Sequence, residues 1–397
     1  MNVPAWPIRP GVIYLNHGSF GPTSEPVLAE RERWSRELAS QPMDFFVRRL
    51  EDELDAAAET LGRFVGADAG GIVPVSNSTT GMNLVAHNLS LAAGDEVLLT
   101  SHEYGAVFRL WKQRAEPVGA KVISAPIRAS LDDAEGVAAD VLSAITPRTK
   151  VLVVSHVTSK SAAILPVQRI CAGAKERGVP VAVDGPHAIA ALPLERPGEG
   201  IADLGCDWYT AGCHKWLSAP FGSGFLWIAP QRREGFAPLV ASWGGSVSGR
   251  SPDWRDDFRW PGTPDPSPFL SIPAAIRVLE EAGLEAFRAH SAGLAGAAVE
   301  RLNALTGLPP LGPRFPEGRR LPMAPAALPD PPAGTPKVGH GDCDPLQKAL
   351  WERHRIEIPV VHRGGRRQIR VSCHLYTTPA HIDWLIAAVE EELDRGL

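Results

Sequence analysis

A chain of 397 residues exceeds what one hydrophobic core usually serves, so two packed lobes are the expectation. With 44% hydrophobic and 21% charged residues it reads as a soluble globular protein, and a net charge of −5 without a basic arm or stripe gives no footing for nucleic acid or an anionic membrane. Five cysteines without a CxxC pair argue against a disulfide framework and a zinc site, and no apolar run approaches the roughly 18 residues needed to span a bilayer; with no signal-peptide pattern at the N-terminus, a reducing, cytoplasmic setting is expected.

The chain opens on an extended "VIYLNHGSFGP", followed by helix-like stretches at 24–40 and 44–65. From residue 71 short β-like runs alternate with helical patterns. "GIVPVSN" precedes "STTGMNLVAHNLSL", "DEVLLTS" precedes "YGAVFRLWKQRAEPVG", and "AKVISAPI" follows. Next come "KVLVVSHV", the helical "PVQRICAGAKERG", "VPVAVDG", "CDWYTAG" and "GFLWIA". Strands of four to six aliphatic residues separated by helices predict an α/β fold with a mostly parallel sheet. "KVLVVSHV" and "VPVAVDG" are apolar nearly throughout, as strands covered on both faces are. From residue 272 a long helical periodicity begins, with Pro273 in its first turn. Ten prolines between 309 and 336 predict a surface loop, with at most one edge strand at "RLPMAPAAL". A strand, a turn and a helix starting near Thr377 or Thr378 close the chain. The expected division is an N-terminal segment (1–40) joining a small lobe, a large α/β domain (41–270) and a small C-terminal α+β domain (271–397).

Ligands of such sheets sit outside the carboxyl ends of the strands. The polar residues collected there are Ser76–Thr80, His102–Tyr104, Ser155–Ser159, Asp184–His187 and Thr210–Lys215. Lys215 is one of eight lysines against thirty-two arginines, and it stands in a segment with almost no other charge. Asp184 ends an apolar strand, where a carboxylate is costly unless a cation or donor meets it. A strand-end Asp with a later His-Lys suits pyridoxal phosphate, which needs an amine for a Schiff base, an anion at its ring nitrogen and donors for its phosphate. "STTG", where a strand turns into a helix, offers hydroxyls and N–H groups to such a phosphate. Cys213 reads as a packed small side chain rather than a reactive thiol.

The chain resembles the class V aminotransferases, the fold-type I pyridoxal-phosphate enzymes that include cysteine desulfurases, and within them the isopenicillin N epimerase-like proteins. The likeness is carried by "YLNHGSFGP", "QPMDFF", "SNSTTGMNLVA", "HEYGAV", "SHVTS", "VDGPHA", "GCHKW", "WPGTPDPSPFL" and "IRVSCHLYTTPAHID". It implies the fold-type I architecture: a large domain on a mostly parallel, seven-stranded sheet, with a smaller α+β lobe from both termini. It makes Lys215 the Schiff-base lysine and the proton carrier at Cα. Asp184 is then the partner of the ring nitrogen, His187 a contact near the phenolic oxygen, and Tyr104 the ring stacked on the cofactor. Ser78, Thr79, Thr80 and His214 would meet the phosphate, and Thr263 would reach it from the partner subunit of a homodimer. Arg370 would clamp the substrate carboxylate, Asn16 and "GSFG" would border its pocket, and His156 and Thr158 would lie beside the ring.

Three departures from the family pattern stand out. Gly212 replaces a serine whose hydroxyl serves the phosphate, with Thr210 a substitute from the same loop. Pro264 replaces an arginine in "GTPD", and Lys160, Ser161 and Ala162 occupy a loop that usually carries proline, threonine and a small residue. The implied reaction is epimerisation or racemisation at Cα of an amino acid. The alternatives are a Cβ–S or Cα–Cβ lyase, with Cys343 the candidate sulfur acceptor of a desulfurase, an aminotransferase, or a catalytically degenerate relative.

Overall fold

The computed structural model describes residues 3–128, 130–312, 320–331, 343–363 and 365–397. The chain forms two compact units. The smaller holds residues 1–22, 159–163 and 279–397, and the larger holds 23–158 and 164–278. The expected boundaries at 40 and 270 fall elsewhere because the helix Glu25–Ser40 packs in the larger unit, where Ser35 Oγ donates to Ser267 Oγ at 3.1 Å.

Strand β1 (Ile13–Tyr14) belongs to the smaller unit. The larger unit carries β2 (Ile72–Val75), β3 (Glu96–Thr100), β4 (Lys121–Ala125), β5 (Thr149–Ser155), β6 (Val181–Asp184), β7 (Trp208–Gly212) and β8 (Gly224–Ile228). They form one seven-stranded sheet in the order β2-β8-β7-β6-β5-β3-β4. All its pairings are parallel except those of β8, which runs antiparallel to both neighbours. The predicted mostly parallel sheet is therefore present. β3, β6, β7 and β8 are buried along their whole length, which explains why these segments lack the alternation of a half-exposed strand. Trp111, Met82 and Leu110, from the helices Ser78–His87 and Gly105–Ala115, pack with Val97, Leu99, Val151 and Val153 of the sheet.

The smaller unit continues with β9 (Met323–Ala327), β10 (Ile356–Glu357), β11 (Val360–Arg363) and β12 (Arg366–Ser372). β12 is central and antiparallel to both β11 and β9, while β1 pairs with β10 in parallel. β9 is the expected edge strand, and Pro325 is tolerated there because an edge leaves one side of the ladder unpaired. Residues 313–319 and 332–336 of the proline-rich segment lie outside the described residues. The long helical pattern after residue 272 divides into Ile272–Ala282 and Leu284–Thr306, because Gly283 takes φ +85°. The closing helix, Pro379–Asp394, is capped by Thr378.

Candidate active site

In the larger unit the polar residues converge at the carboxyl ends of β3, β5, β6 and β7. Parallel register puts them level: Ser155 pairs with Asp184, and Asp184 with Thr210. Asp184 is buried, and burial pushes its carboxyl up to about 6, against the opposing pull of the Lys215 ammonium.

Lys215 lies in a tight loop between β7 and β8. Cys213 N–H donates to Ser223 O at 2.9 Å, Ser218 N–H to Lys215 O at 2.8 Å and Ala219 N–H to Cys213 O at 3.1 Å. Ser218 takes φ +55°, an uncommon conformation for a non-glycine residue and one often found at functional turns. The loop sets Lys215 Nζ 2.9 Å from His187 Nε2. Cys213 is fully buried and burial pushes its thiol up, as its reading as a packed side chain implies.

The helix Ser78–His87 starts beside this loop in the same unit. Its first N–H groups have no acceptor within the helix, and Asn77 Oδ1 accepts that of Thr80 at 3.0 Å. Thr80 Oγ1 also lies 2.8 Å from Ser76 Oγ. Thr80 is thus engaged in the cap, while Ser78 and Thr79 present the N-terminus. Thr210, the expected substitute for the missing serine, is occupied otherwise. Its hydroxyl donates to Phe225 O at 3.0 Å, and its side chain fills the space under Gly81.

The room at Gly212 has a different tenant. A Cβ there would stand 2.8 Å from Cε1 and 3.0 Å from Nδ1 of His214, so the glycine admits the imidazole where a serine side chain would begin. His214 Nδ1 is buried without a hydrogen-bond partner among the described residues. Burial and the neighbouring Lys215 push its pKa down to about 4. An orphaned polar nitrogen beside an N-terminal helix turn, with a buried carboxyl and an amine close by, fits pyridoxal phosphate.

Tyr104 stands at the start of the helix Gly105–Ala115 and is half exposed. His156 is buried, 3.0 Å from Tyr209 Oη through Nδ1, and burial lowers its pKa to about 4. Thr158 is fully buried, and Thr263 is exposed. The sequence reading gathered Glu103 and Ser155 among the strand-end residues without giving them a role, and it missed Tyr209. Glu103 was legible as a strand-end carboxylate inside "HEYGAV"; Tyr209 was hidden among the apolar residues of β7.

In the smaller unit, Arg370 on β12 is buried. Nη1 donates to Ser159 O at 2.6 Å, and Nη2 to Ser19 Oγ at 2.7 Å and to Asn16 Oδ1 at 3.5 Å. Asn16 donates through Nδ2 to Glu357 Oε1 at 3.2 Å, and Tyr14 Oη to Phe20 O at 2.6 Å, which holds the "GSFG" turn. Lys160 is exposed at its side chain, while its carbonyl accepts from Gln368 Nε2 at 2.9 Å. Ala162 takes φ +50° in the same loop.

A doubly covered, mostly parallel sheet with an amine, a buried carboxyl and a phosphate-ready helix start at one edge defines a pyridoxal-phosphate enzyme of the fold-type I architecture. The family model of the class-V aminotransferases matches residues 13–322, and the chain belongs to that family. Its cofactor is pyridoxal 5′-phosphate. It is similar to the isopenicillin N epimerases of Amycolatopsis lactamdurans (35% identical, over 97% of this chain and 96% of that one) and Streptomyces clavuligerus (34%, over 96% and 95%). Among solved structures, a variant of C-DES with glycine covalently linked to its PLP cofactor superposes with a TM-score of 0.79, at 22% identity over 96% of both chains. Among the described residues, no helix is long and apolar enough to cross a membrane.

Proposed function

We propose that this chain is an amino-acid epimerase of the isopenicillin N epimerase type, acting at Cα of an amino-acid or peptidyl substrate, as a homodimer with shared sites. The observation that carries the reading is the likeness to isopenicillin N epimerases over nearly the whole of both chains.

When bound, the cofactor supplies an electron sink for charge developing at the substrate Cα. The chain's own residues do the rest. Asp184 carries the negative charge that holds a proton on the ring nitrogen. His214 and the N–H groups of Ser78 and Thr79 hold the phosphate, with Thr263 of the partner subunit as a further contact. Tyr104 covers the ring. Lys215 would take the Cα proton on its own face, and His187, 2.9 Å from its Nζ, orients the amine. Arg370 binds the substrate carboxylate through its planar fork, a task lysine performs poorly, and Asn16 and Ser19 set its orientation.

Epimerisation also needs a proton carrier for the opposite face. His156 is unsuited, being held neutral by burial and tied to Tyr209. Tyr104, with its access to solvent, takes that role. The desulfurase alternative would need a reactive Cys343. That thiol is pushed up by partial burial and by Asp344 and Glu357, which works against the thiolate.

The test is incubation with isopenicillin N and a panel of L-amino acids in D₂O. Deuterium at Cα together with the inverted isomer, both lost in Lys215→Ala, supports the proposal. Absence of both across the panel refutes it.

A further inference from the structure

The turn that brings Asn16 and Ser19 to Arg370 is held by a cluster of rings that the proposed chemistry does not use. Asn16 O accepts the N–H groups of Ser19 at 3.0 Å and Phe20 at 3.4 Å, which closes the turn. Phe20 exposes its ring to solvent, whereas His17 is fully buried. Its Nδ1 lies 2.9 Å from Tyr376 Oη, and its ring stacks on that of His374 with centroids 4.1 Å apart and planes 20° apart. Trp6 stands edge-on to the cluster, 5.0 Å from both His374 and Tyr376, and Phe287 lies 4.6 Å from His374.

His374 and Tyr376 follow Arg370 in the chain, just past the end of β12. Turn and strand are therefore joined on both sides of Asn16. On one side Leu15 O accepts the Ser372 N–H at 2.9 Å, and on the other His17 meets His374 and Tyr376. A single link would act as a hinge; two fix the rotation of the turn about the strand. That rotation sets the acceptors offered to Arg370, Ser19 Oγ at 2.7 Å and Asn16 Oδ1 at 3.5 Å. Hydrogen bonds weaken steeply with misalignment, so a small pivot would release the guanidinium. These acceptors and Ser159 O are uncharged, and they orient the fork without neutralising it. An apolar side chain could fill the volume of His17, but it would take this partner from the Tyr376 hydroxyl, which costs free energy away from water.

We propose that His17 is a positioning residue: buried against His374 and Tyr376, it sets the Asn16–Ser19 turn so that the fork of Arg370 is presented to a carboxylate. This rests on Arg370 holding the substrate carboxylate, and is independent of which reaction follows.

The holoenzyme tests this with two probes that differ only by a carboxylate, glycine and methylamine, each titrated against the visible absorbance band of the bound cofactor. Glycine should half-saturate the wild type at the lower concentration. His17→Ala should raise that concentration about tenfold and leave methylamine within about twofold, because a turn that has pivoted touches only the carboxylate. Tyr376→Phe removes one hydroxyl and keeps the ring, so it retains the fold, and it should weaken glycine about threefold. His17→Asn returns a polar atom at the place of Nδ1 and should recover part of what His17→Ala loses. If both probes shift alike in His17→Ala, if Tyr376→Phe leaves glycine unchanged, or if His17→Asn is no better than His17→Ala, the cluster is packing alone and the proposal falls. Arg370→Lys, run alongside, should weaken glycine at least as much as His17→Ala. If it does not, or if the wild type takes glycine no better than methylamine, Arg370 does not hold the carboxylate, and the proposal falls with that reading.

Discussion

Replacing Gly81 with alanine probes how the sheet positions the phosphate end of the site. The new Cβ would stand 1.9 Å from Thr210 Oγ1 and 2.8 Å from Thr210 Cβ, against about 3.5 Å for ordinary contact. Thr210 is buried on β7, and its hydroxyl is held by Phe225 O at 3.0 Å, so it yields only by giving up that bond, at about 1 kcal/mol. Overpacking of this kind adds about 1–3 kcal/mol, and alanine in place of helical glycine returns about 1 kcal/mol. The net expectation is a loss of about 2 kcal/mol. Lifting the helix also moves its N-terminal N–H groups, so cofactor affinity should fall about tenfold, the equivalent of about 1.4 kcal/mol. Urea denaturation and spectrophotometric titration with pyridoxal phosphate measure the two effects. Thr210→Ala in the same background removes the obstructing oxygen and should recover most of both. If Gly81→Ala leaves stability and affinity unchanged, or if Thr210→Ala rescues neither, the packing argument is wrong.

Two further outcomes are expected. Gly212→Ser restores the hydroxyl usual in the family but drives its Cβ into the His214 ring; cofactor affinity should drop about tenfold, whereas tighter binding would show that His214 had not taken over the serine's place. Glu103 also makes a pH prediction for the cofactor-free chain. Its folded value lies above the unfolded one, so its contribution to stability is present below about pH 4.5 and is lost as pH rises through about 7. Asp184 follows the same sign through about 6, whereas His156, depressed to about 4, contributes above its unfolded value and loses that contribution on acidification. The difference between Glu103→Gln and wild type isolates one group, and should grow in favour of the variant by on the order of 3 kcal/mol between pH 4.5 and 8. Parallel urea curves at the two pH values that leave this difference flat would contradict it.

The alternation of apolar runs with helical periodicity was enough to read the seven strands of the large sheet, because strands covered on both faces exclude polar residues until they end. For the same reason Asp184 stood out: a charge closing an all-apolar run demands an explanation that composition alone supplies. Lys215 was visible through its rarity, and Arg370 through the motif around it. What the sequence could not show is which donors are already engaged. Thr80 and Thr210 carry the right hydroxyls, yet Ser76 Oγ and Asn77 Oδ1 engage the first and Phe225 O the second, and only the packed structure settles that. Glu103 and Ser155 are fifty-two residues apart, and their hydrogen bond depends on β5 lying beside β3, which is a tertiary fact. Gly212 is the sharpest case. In the sequence it is a missing hydroxyl; in the folded chain it is the space that lets His214 approach, because a side chain at that point and the imidazole cannot share one volume.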